Sequence, residues 1–77
     1  MARVRFFAAA QEAVGRDEEH RAEPDVGALR EALVAEHPRL AAILPRCALL
    51  VDGSRVDDTA PLTDGTLVDV LPPFAGG

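Results

Sequence analysis

The sequence predicts an α+β fold in which one main helix packs against a mixed β-sheet. Three features lead to this prediction: a short apolar strand at each end of the chain, one amphipathic helix between them, and a hairpin signal after that helix. The chain has 77 residues, of which 48% are hydrophobic and 27% charged, and this composition suits one globular domain. Because a domain of this size buries only about 60% of its unfolded surface, we expect no enclosed active site with its own walls.

The first predicted strand lies close to the N-terminus. Val4, Phe6 and Ala8 alternate with Arg5 and Phe7, so the first three side chains share one face of the strand and the other two share the opposite face. The first face is the more apolar, and we expect it to lie against the core. Arg5 and Phe7 would then point outward.

A short helix and a polar strand are predicted next. Residues 9–14 have helix-forming composition, and Gly15 after them suits a helix C-cap. Residues 17–22 are polar throughout, so they can form a second strand only as a charged sheet edge. Charged edges protect a sheet against pairing with another chain.

The main helix has the clearest boundaries in the sequence. Asp25 is a good N-cap residue, and Val26, Leu29 and Leu33 follow it with the spacing of one helix face. Pro38 predicts that the helix ends at the residue before it. This helix is long enough to cover one face of a small sheet.

The C-terminal half contains three further strands separated by turn signals. In chain order, we expect a short helical or irregular piece at 40–44, a strand at 47–51, a hairpin turn at 52–53 and a return strand at 55–56. A turn region bracketed by 58–59 and 64–65 follows, and the last strand is expected at 67–71. The resulting order, β-(α)-β-α-β-β-β, is that of a β-grasp roll. In that topology the first and last strands lie parallel at the sheet centre, so the last strand delivers the chain end from the most stable part of the domain.

The C-terminal end is the most informative segment, and it reads Leu71-Pro72-Pro73-Phe74-Ala75-Gly76-Gly77. Two prolines fix φ and remove two backbone donors, so the last strand cannot extend past them. We therefore predict a domain at residues 1–71 and a flexible tail at residues 72–77, with a semi-rigid base at the prolines. Because glycines lack a Cβ, the terminal carboxylate could enter a narrow tunnel. The plain alternative is a frayed terminus, since a chance Gly-Gly end occurs in about one chain in 200.

The charge distribution limits the classes of partner. The formal net charge is −5, from thirteen acidic and eight basic residues. Nucleic-acid binding needs clustered positive charge, whereas the basic residues here are scattered singly, so we expect no nucleic-acid partner. An acidic domain is better suited to steering toward a basic protein surface. All basic residues are arginine, and without lysine the chain cannot form isopeptide-linked chains of itself.

The sequence predicts a cytoplasmic protein that does not enter a membrane. Cys47 is the single cysteine, which rules out an internal disulfide and fits a reducing compartment. Arg3 and Arg5 interrupt any apolar run at the start, so no signal peptide is expected. No stretch approaches membrane-spanning length.

Both ends of the chain resemble the MoaD/ThiS family of ubiquitin-like sulfur-carrier proteins. The matching residues are the opening run 4–8, the Asp64-Gly65 turn, Val68 and the closing runs 71–73 and 76–77. Residues 12–15 look more like the MoaD branch, the small subunit of molybdopterin synthase, than like the shorter ThiS branch. Thr66 stands where the family often has an acidic residue, and Phe74 stands where a smaller apolar residue is common.

The resemblance implies a carrier that works with partner enzymes and binds no cofactor or metal itself. An E1-like adenylyltransferase, similar to MoeB and ThiF, would use ATP and Mg to adenylate the Gly77 carboxylate. A sulfur donor would then displace AMP and leave a thiocarboxylate. The tail, comprising Pro72, Pro73, Phe74, Ala75 and Gly76, would carry that group into a MoaE-like large subunit, which gives the sulfur to the pterin precursor of the molybdenum cofactor.

The sequence also allows three functions other than sulfur transfer to the pterin precursor. The same carrier chemistry could serve another synthase, for thiamine thiazole, cysteine or a sulfur-containing natural product. The Gly-Gly end could instead be joined to lysines of target proteins, which would make the chain a ubiquitin-like modifier. A plainer possibility is a non-reactive β-grasp binding module, for which removal of Gly76 and Gly77 would change nothing.

A partner-binding surface is predicted beside the tail. In two adjacent central strands, Phe7 and Leu71 would point outward on the same sheet face. Together with Phe74 and with Leu50 or Leu67 they could form an exposed apolar patch of the kind that binds proteins. The alternative is a register shifted by one residue, which would place these side chains in the core.

The remaining polar residues indicate structure rather than catalysis. Cys47 lies on an apolar strand, where a reduced cysteine is usually a small buried hydrophobe. Alternation along a strand prevents His20 from converging with its neighbours Glu18 and Glu19 on a metal, so a solvated edge is expected. We expect His37 to interact with the carbonyls at the end of the helix and Asp57 and Asp58 to lie in a turn. Asp69 is expected to face solvent or an arginine such as Arg5.

Overall fold

The structure is a computed structural model, and it describes residues 1–73 of the chain. Five strands and two α-helices follow in the order β1 Ala2–Phe6, α1 Ala8–Val14, β2 Glu18–Arg21, α2 Val26–Glu36, β3 Ala48–Val51, β4 Ser54–Arg55 and β5 Leu67–Leu71. Two single 3₁₀ turns, Pro38–Leu40 and Leu44–Arg46, connect α2 to β3. The predicted α+β order is therefore confirmed.

The five strands form one mixed sheet in the order β2-β1-β5-β3-β4. The central strand is β5, which pairs in parallel with β1 through Phe6 and Val70 and antiparallel with β3 through Leu49 and Val70. The prediction that the first and last strands lie parallel at the sheet centre is confirmed. Because β5 is paired with β1 as far as Val70 and with β3 as far as Leu71, the chain leaves the sheet from the strand that has neighbours on both sides.

Helix α2 begins and ends where the sequence predicts. The Asp25 carboxylate accepts a hydrogen bond from the Ala28 N–H at 2.8 Å, which satisfies one of the free donors of the first turn. Val26, Leu29 and Leu33 have no solvent exposure, and they form the face that packs on the sheet. Pro38 follows the C-cap residue and starts the first 3₁₀ turn.

The hydrophobic core lies between α2 and the inner face of the sheet. The sheet contributes alternate residues of its three central strands: Val4 and Phe6 from β1, Val68 and Val70 from β5, and Leu49 from β3. The two 3₁₀ turns close the core with the buried side chains of Leu40 and Leu44. The opposite, outer face of the sheet has no helix packed on it within residues 1–73.

The N-terminal strand begins and ends two residues earlier than the sequence predicts. We expected it to reach Ala8 with that residue on the inner face, but β1 ends at Phe6 and Ala8 is an exposed first residue of α1. The physical reason is a sharp turn, since Ala8 has a left-handed φ of 50°. The Phe7 carbonyl then accepts hydrogen bonds from the N–H groups of Ala10 and Gln11, and the helix begins there.

None of the helices formed by residues 1–73 combines the length and the apolar character needed to cross a bilayer.

Candidate functional site

The base of the tail is fixed on both sides by the sheet. The Phe7 N–H donates to the Val70 carbonyl at 3.2 Å, and Ala48 of β3 pairs with Leu71. Pro72 has no N–H, so the hydrogen-bond ladder stops there; its side chain is half-buried and that of Pro73 is exposed. Residues 74–77, and with them the predicted roles of Phe74, Ala75, Gly76 and Gly77, lie outside the described residues. Those roles stay predictions.

The outer face of the sheet brings the predicted apolar residues together beside the tail. Leu67 and Leu71 alternate along β5 with fully buried residues of the inner face, and both are half-buried. Leu50 of β3 is half-buried on the same outer face, and Phe7, the residue after β1, is 36% exposed. The predicted register is therefore correct, and the alternative that these side chains belong to the core is wrong. Their role as a partner interface stays a prediction.

A charged pair lies in the middle of these apolar residues. Arg5 donates two hydrogen bonds to Asp69, from Nε to Oδ1 at 2.7 Å and from Nη2 to Oδ2 at 3.0 Å. The guanidinium carbon also lies 5.5 Å from the centre of the Phe7 ring, within the range of a cation–π contact. The hydrogen bonds to Asp69 raise the pKa of Arg5, which is charged at any physiological pH in either case. The expectation that Asp69 faces an arginine is confirmed.

The sheet edge opposite β4 carries a larger ion-pair network that the sequence reasoning missed. Arg21 of β2 donates to Glu36 at 2.7 Å and to Glu23 at 2.8 Å, and it is only 11% exposed. Hydrogen bonds to these two carboxylates, that to Glu36 first, raise the pKa of Arg21, while Arg21 lowers the pKa of each of them. The prediction for His37 is wrong: its ring Nε2 lies 2.7 Å from Oε2 of Glu19 and not at the helix-end carbonyls.

The network locks β2 to the C-terminal end of α2. Alternation along β2 places Glu19 and Arg21 on the inner face, where the end of the helix supplies Glu36 and His37. That alternation could have predicted that Glu19 and Arg21 point toward the helix, but not which helix residues they contact. His20 is exposed on the outer side of the strand, as expected for a solvated edge.

The other polar candidates have structural contacts. The Cys47 thiol is buried and donates to the Ile43 carbonyl at 3.3 Å, and burial raises its pKa. Asp57 accepts the Thr59 N–H at 2.9 Å within a turn, whereas Asp58 pairs with Arg30 at 2.7 Å. Asp57 and Asp58 thus serve separate partners. Within residues 1–73, no three His, Cys, Asp or Glu side chains are arranged to hold a metal ion.

Comparison with known proteins identifies the family. The model of the ThiS family matches residues 4–77 of the chain. The chain belongs to the ThiS family. Its relatives in this family include the molybdopterin synthase sulfur carrier subunit of Escherichia coli, which is 41% identical to the chain over the full length of both proteins.

Solved structures of similar proteins agree with the fold of this ThiS-family chain. The complex of subunits 1 and 2 of the molybdopterin-converting factor from Helicobacter pylori matches with a TM-score of 0.73 and 30% identity, covering 99% of this chain and 97% of that chain. The small archaeal modifier protein 1 from Methanosarcina acetivorans matches with a TM-score of 0.88 and 21% identity, covering 99% and 95%. The second likeness shows the fold alone. The predicted β-grasp, ubiquitin-like fold and the resemblance to the MoaD/ThiS family are confirmed.

Proposed function

We propose that this chain is a sulfur carrier of the molybdopterin synthase small-subunit type and that it acts through the carboxylate of Gly77. The observation that carries the proposal is the 41% identity, over the full length of both proteins, to the sulfur carrier subunit of that synthase in Escherichia coli. The Pro-Pro and Gly-Gly positions at the chain end give the same indication. In this function the chain is a carrier, and the catalytic groups belong to its partners.

The chemistry requires activation of the carboxylate by a partner. A carboxylate does not react with sulfur nucleophiles at neutral pH, because its carbonyl is a poor electrophile and oxide is a very poor leaving group. An E1-like adenylyltransferase of the MoeB/ThiF type would join the Gly77 carboxylate to AMP, using ATP and Mg and releasing pyrophosphate. Attack by hydrosulfide on the acyl carbon would then expel AMP and leave the thiocarboxylate.

The described domain supports this function by the way it holds the tail base. Since β5 is bonded on both sides up to Val70 and to β3 at Leu71, the orientation in which Pro72 leaves the sheet is fixed by the most stable part of the fold. The apolar outer face begins beside that point, with Leu71 and Phe7. A partner that covers this face would receive the tail next to its own binding surface.

The large synthase subunit is the partner we propose for the loaded carrier. The Helicobacter pylori structure is a complex of subunits 1 and 2, and this chain matches one of its chains over nearly its whole length. By analogy, a MoaE-like large subunit would bind the outer face through Phe7, Leu50, Leu67 and Leu71. It would take up residues 72–77 in its active site, where the sulfur passes to the pterin precursor.

Intact-protein mass spectrometry tests the carrier chemistry. The purified chain is incubated with ATP, Mg, sulfide and an E1-like adenylyltransferase from the same genome. We expect one oxygen of the protein to be exchanged for sulfur, and a fragment spectrum should locate the exchange at Gly77. The matched control is the same chain with one tryptophan added after Gly77, which should keep its original mass.

Three results would contradict the proposal. One is an unchanged mass of the native chain when the adenylyltransferase is shown to be active on another carrier. Another is a covalent adduct between Gly77 and a lysine of a target protein as the main product, which would indicate the modifier function instead. The third is exchange of oxygen for sulfur in the tryptophan-blocked chain at a group other than its terminal carboxylate, because the reacting group would then not be the C-terminus.

A further inference from the structure

The centre of the outer sheet face is charged, although the residues around it are apolar. Asp69 lies between Leu67 and Leu71 on β5, the central strand, and Leu50 of β3 is its partner in register. Arg5 of β1 is its partner on the other side. An apolar residue at this position would give a simpler docking surface, because covering a charge removes it from water. The Arg5–Asp69 pair therefore calls for a role other than apolar contact.

The pair holds the Arg5 guanidinium in one orientation. Nε and Nη2 donate to the two oxygens of Asp69 at 2.7 and 3.0 Å, and the group lies against the Phe7 ring at 5.5 Å. Arg5 is 39% exposed, whereas Asp69 is 15% exposed, so the carboxylate lies on the buried side of the guanidinium. Among residues 1–73, no acceptor binds Nη1. One edge of the guanidinium is thus presented to a partner with its direction already fixed.

The charge of the outer face differs in sign from that of the remaining domain. By strand register the outer face carries Arg3, Arg5 and Arg55 against Glu18 and Asp69. The other five arginines and eleven carboxylates of the sequence lie elsewhere. Because Arg3 pairs with Glu18 at 3.3 Å and Arg5 pairs with Asp69 at 2.7 Å, the net charge of the outer face is small, and a partner's carboxylate meets less repulsion there than at the acidic remainder of the domain.

We propose that Arg5 is a specificity-determining residue for docking of the carrier. Positioned by Asp69 and Phe7, it binds a carboxylate that the large synthase subunit places within its apolar contact surface. This inference rests on the proposed function, because it names the chemistry of the partner at the same surface. A surface without that carboxylate would bury the free edge of the guanidinium without an acceptor, and this cost selects against wrong partners.

Binding measurements with the large subunit from the same genome test the proposal. Calorimetric titrations at several salt concentrations compare the native chain with Arg5→Met, in which the apolar stem is kept and the charge is lost. We expect the Kd to rise about tenfold or more and the salt dependence of binding to become weaker. The matched control is Arg39→Met, which removes the same charge from the exposed 3₁₀ turn at Pro38–Leu40 and should leave the Kd within about twofold.

A double variant separates recognition from support of the fold. Arg5→Met leaves Asp69 without its partner, so Arg5→Met/Asp69→Leu removes both charges together. If Arg5 recognises a carboxylate, the double variant also binds about tenfold more weakly than the native chain or worse. Urea unfolding of each variant verifies that the domain is folded under the titration conditions.

Three results would overturn the inference. The first is a double variant that binds as tightly as the native chain or more tightly, which would make the pair a structural feature only. The second is a native chain that accepts sulfur on Gly77 but does not bind the large subunit, which would leave the carrier chemistry standing without this partner. The third is a dimer of the native chain in sedimentation that Arg5→Met dissociates, since the face would then bind a second copy.

Discussion

Val70 and Leu71 are neighbours on β5 that point to opposite sides of the sheet, so alanine substitutions at these two positions test the register. Val70 has no solvent exposure and belongs to the core, whereas Leu71 is half-buried on the outer face. Val70→Ala removes two buried carbon atoms at about 0.8 kcal/mol each and leaves a small cavity, so we expect it to lower the free energy of unfolding by about 2–3 kcal/mol. Leu71→Ala should lower it by about 1 kcal/mol or less, because water already reaches this side chain.

The difference is large enough to measure. At about 0.05–0.15 kcal/mol per residue, the free energy of unfolding of this chain is of the order of 4–11 kcal/mol. The loss in Val70→Ala would lower the melting temperature by about 10–20 °C. Urea unfolding is followed by circular dichroism, since the chain has no tryptophan or tyrosine for fluorescence.

Binding of the large subunit should depend more on Leu71 than on Val70. At a temperature where both variants are folded, we expect Leu71→Ala to weaken binding of the large subunit and Val70→Ala to leave it nearly unchanged. The assignment of the two faces would be wrong if Leu71→Ala lowered the free energy of unfolding as much as Val70→Ala. It would also be refuted if only Val70→Ala weakened binding.

Three further predictions concern the domain. Asp25→Ala should lower the free energy of unfolding by about 1 kcal/mol through loss of the α2 N-cap, and Asp25→Ser should restore most of it in the same urea assay. Arg21 keeps the pKa values of Glu23 and Glu36 below the ordinary 4.5, so the stability that these groups add is present above pH 4.5 and is lost as the pH falls through their lowered values. In Arg21→Met, the free energy of unfolding should therefore fall less steeply as the pH is lowered below 4.5. An equally steep fall in the variant would refute this role of Arg21. Cys47 should resist a thiol-alkylating reagent until urea unfolds the domain, because its thiol is buried and its pKa is raised; modification of the folded chain at the rate of a free thiol would contradict its burial.

Most of the fold could be predicted because its signals are local. Asp25 and Pro38 mark the two ends of the main helix with backbone chemistry that acts within one turn of the chain. The two faces of β5 follow from the alternation of buried Val68 and Val70 with half-buried residues. The end of β1 could not be predicted, because the alternating pattern continues through Ala8 and the left-handed turn at that residue leaves no mark in the sequence.

The candidate site, like the fold, could be predicted only where its signals are local in the sequence. The apolar outer residues were predictable from the period of the strands, and the pairing of Arg5 with Asp69 follows once the parallel register is known. The contact of Glu19 with His37 depends on how β2 meets the end of α2, a tertiary relation that neither segment encodes alone. The reacting group predicted at Gly77 depends on the family and on chemistry, and it stays a prediction.

Sulfur transfer from Gly77 can be followed in a single-turnover experiment. The chain is first loaded with sulfur at its C-terminus and then mixed with the large subunit and the pterin precursor. We expect the mass of the chain to return to that of the free carboxylate at the same rate at which sulfur enters the pterin. If the pterin gains sulfur while the loaded chain keeps its own, Gly77 is not the source and the account is wrong.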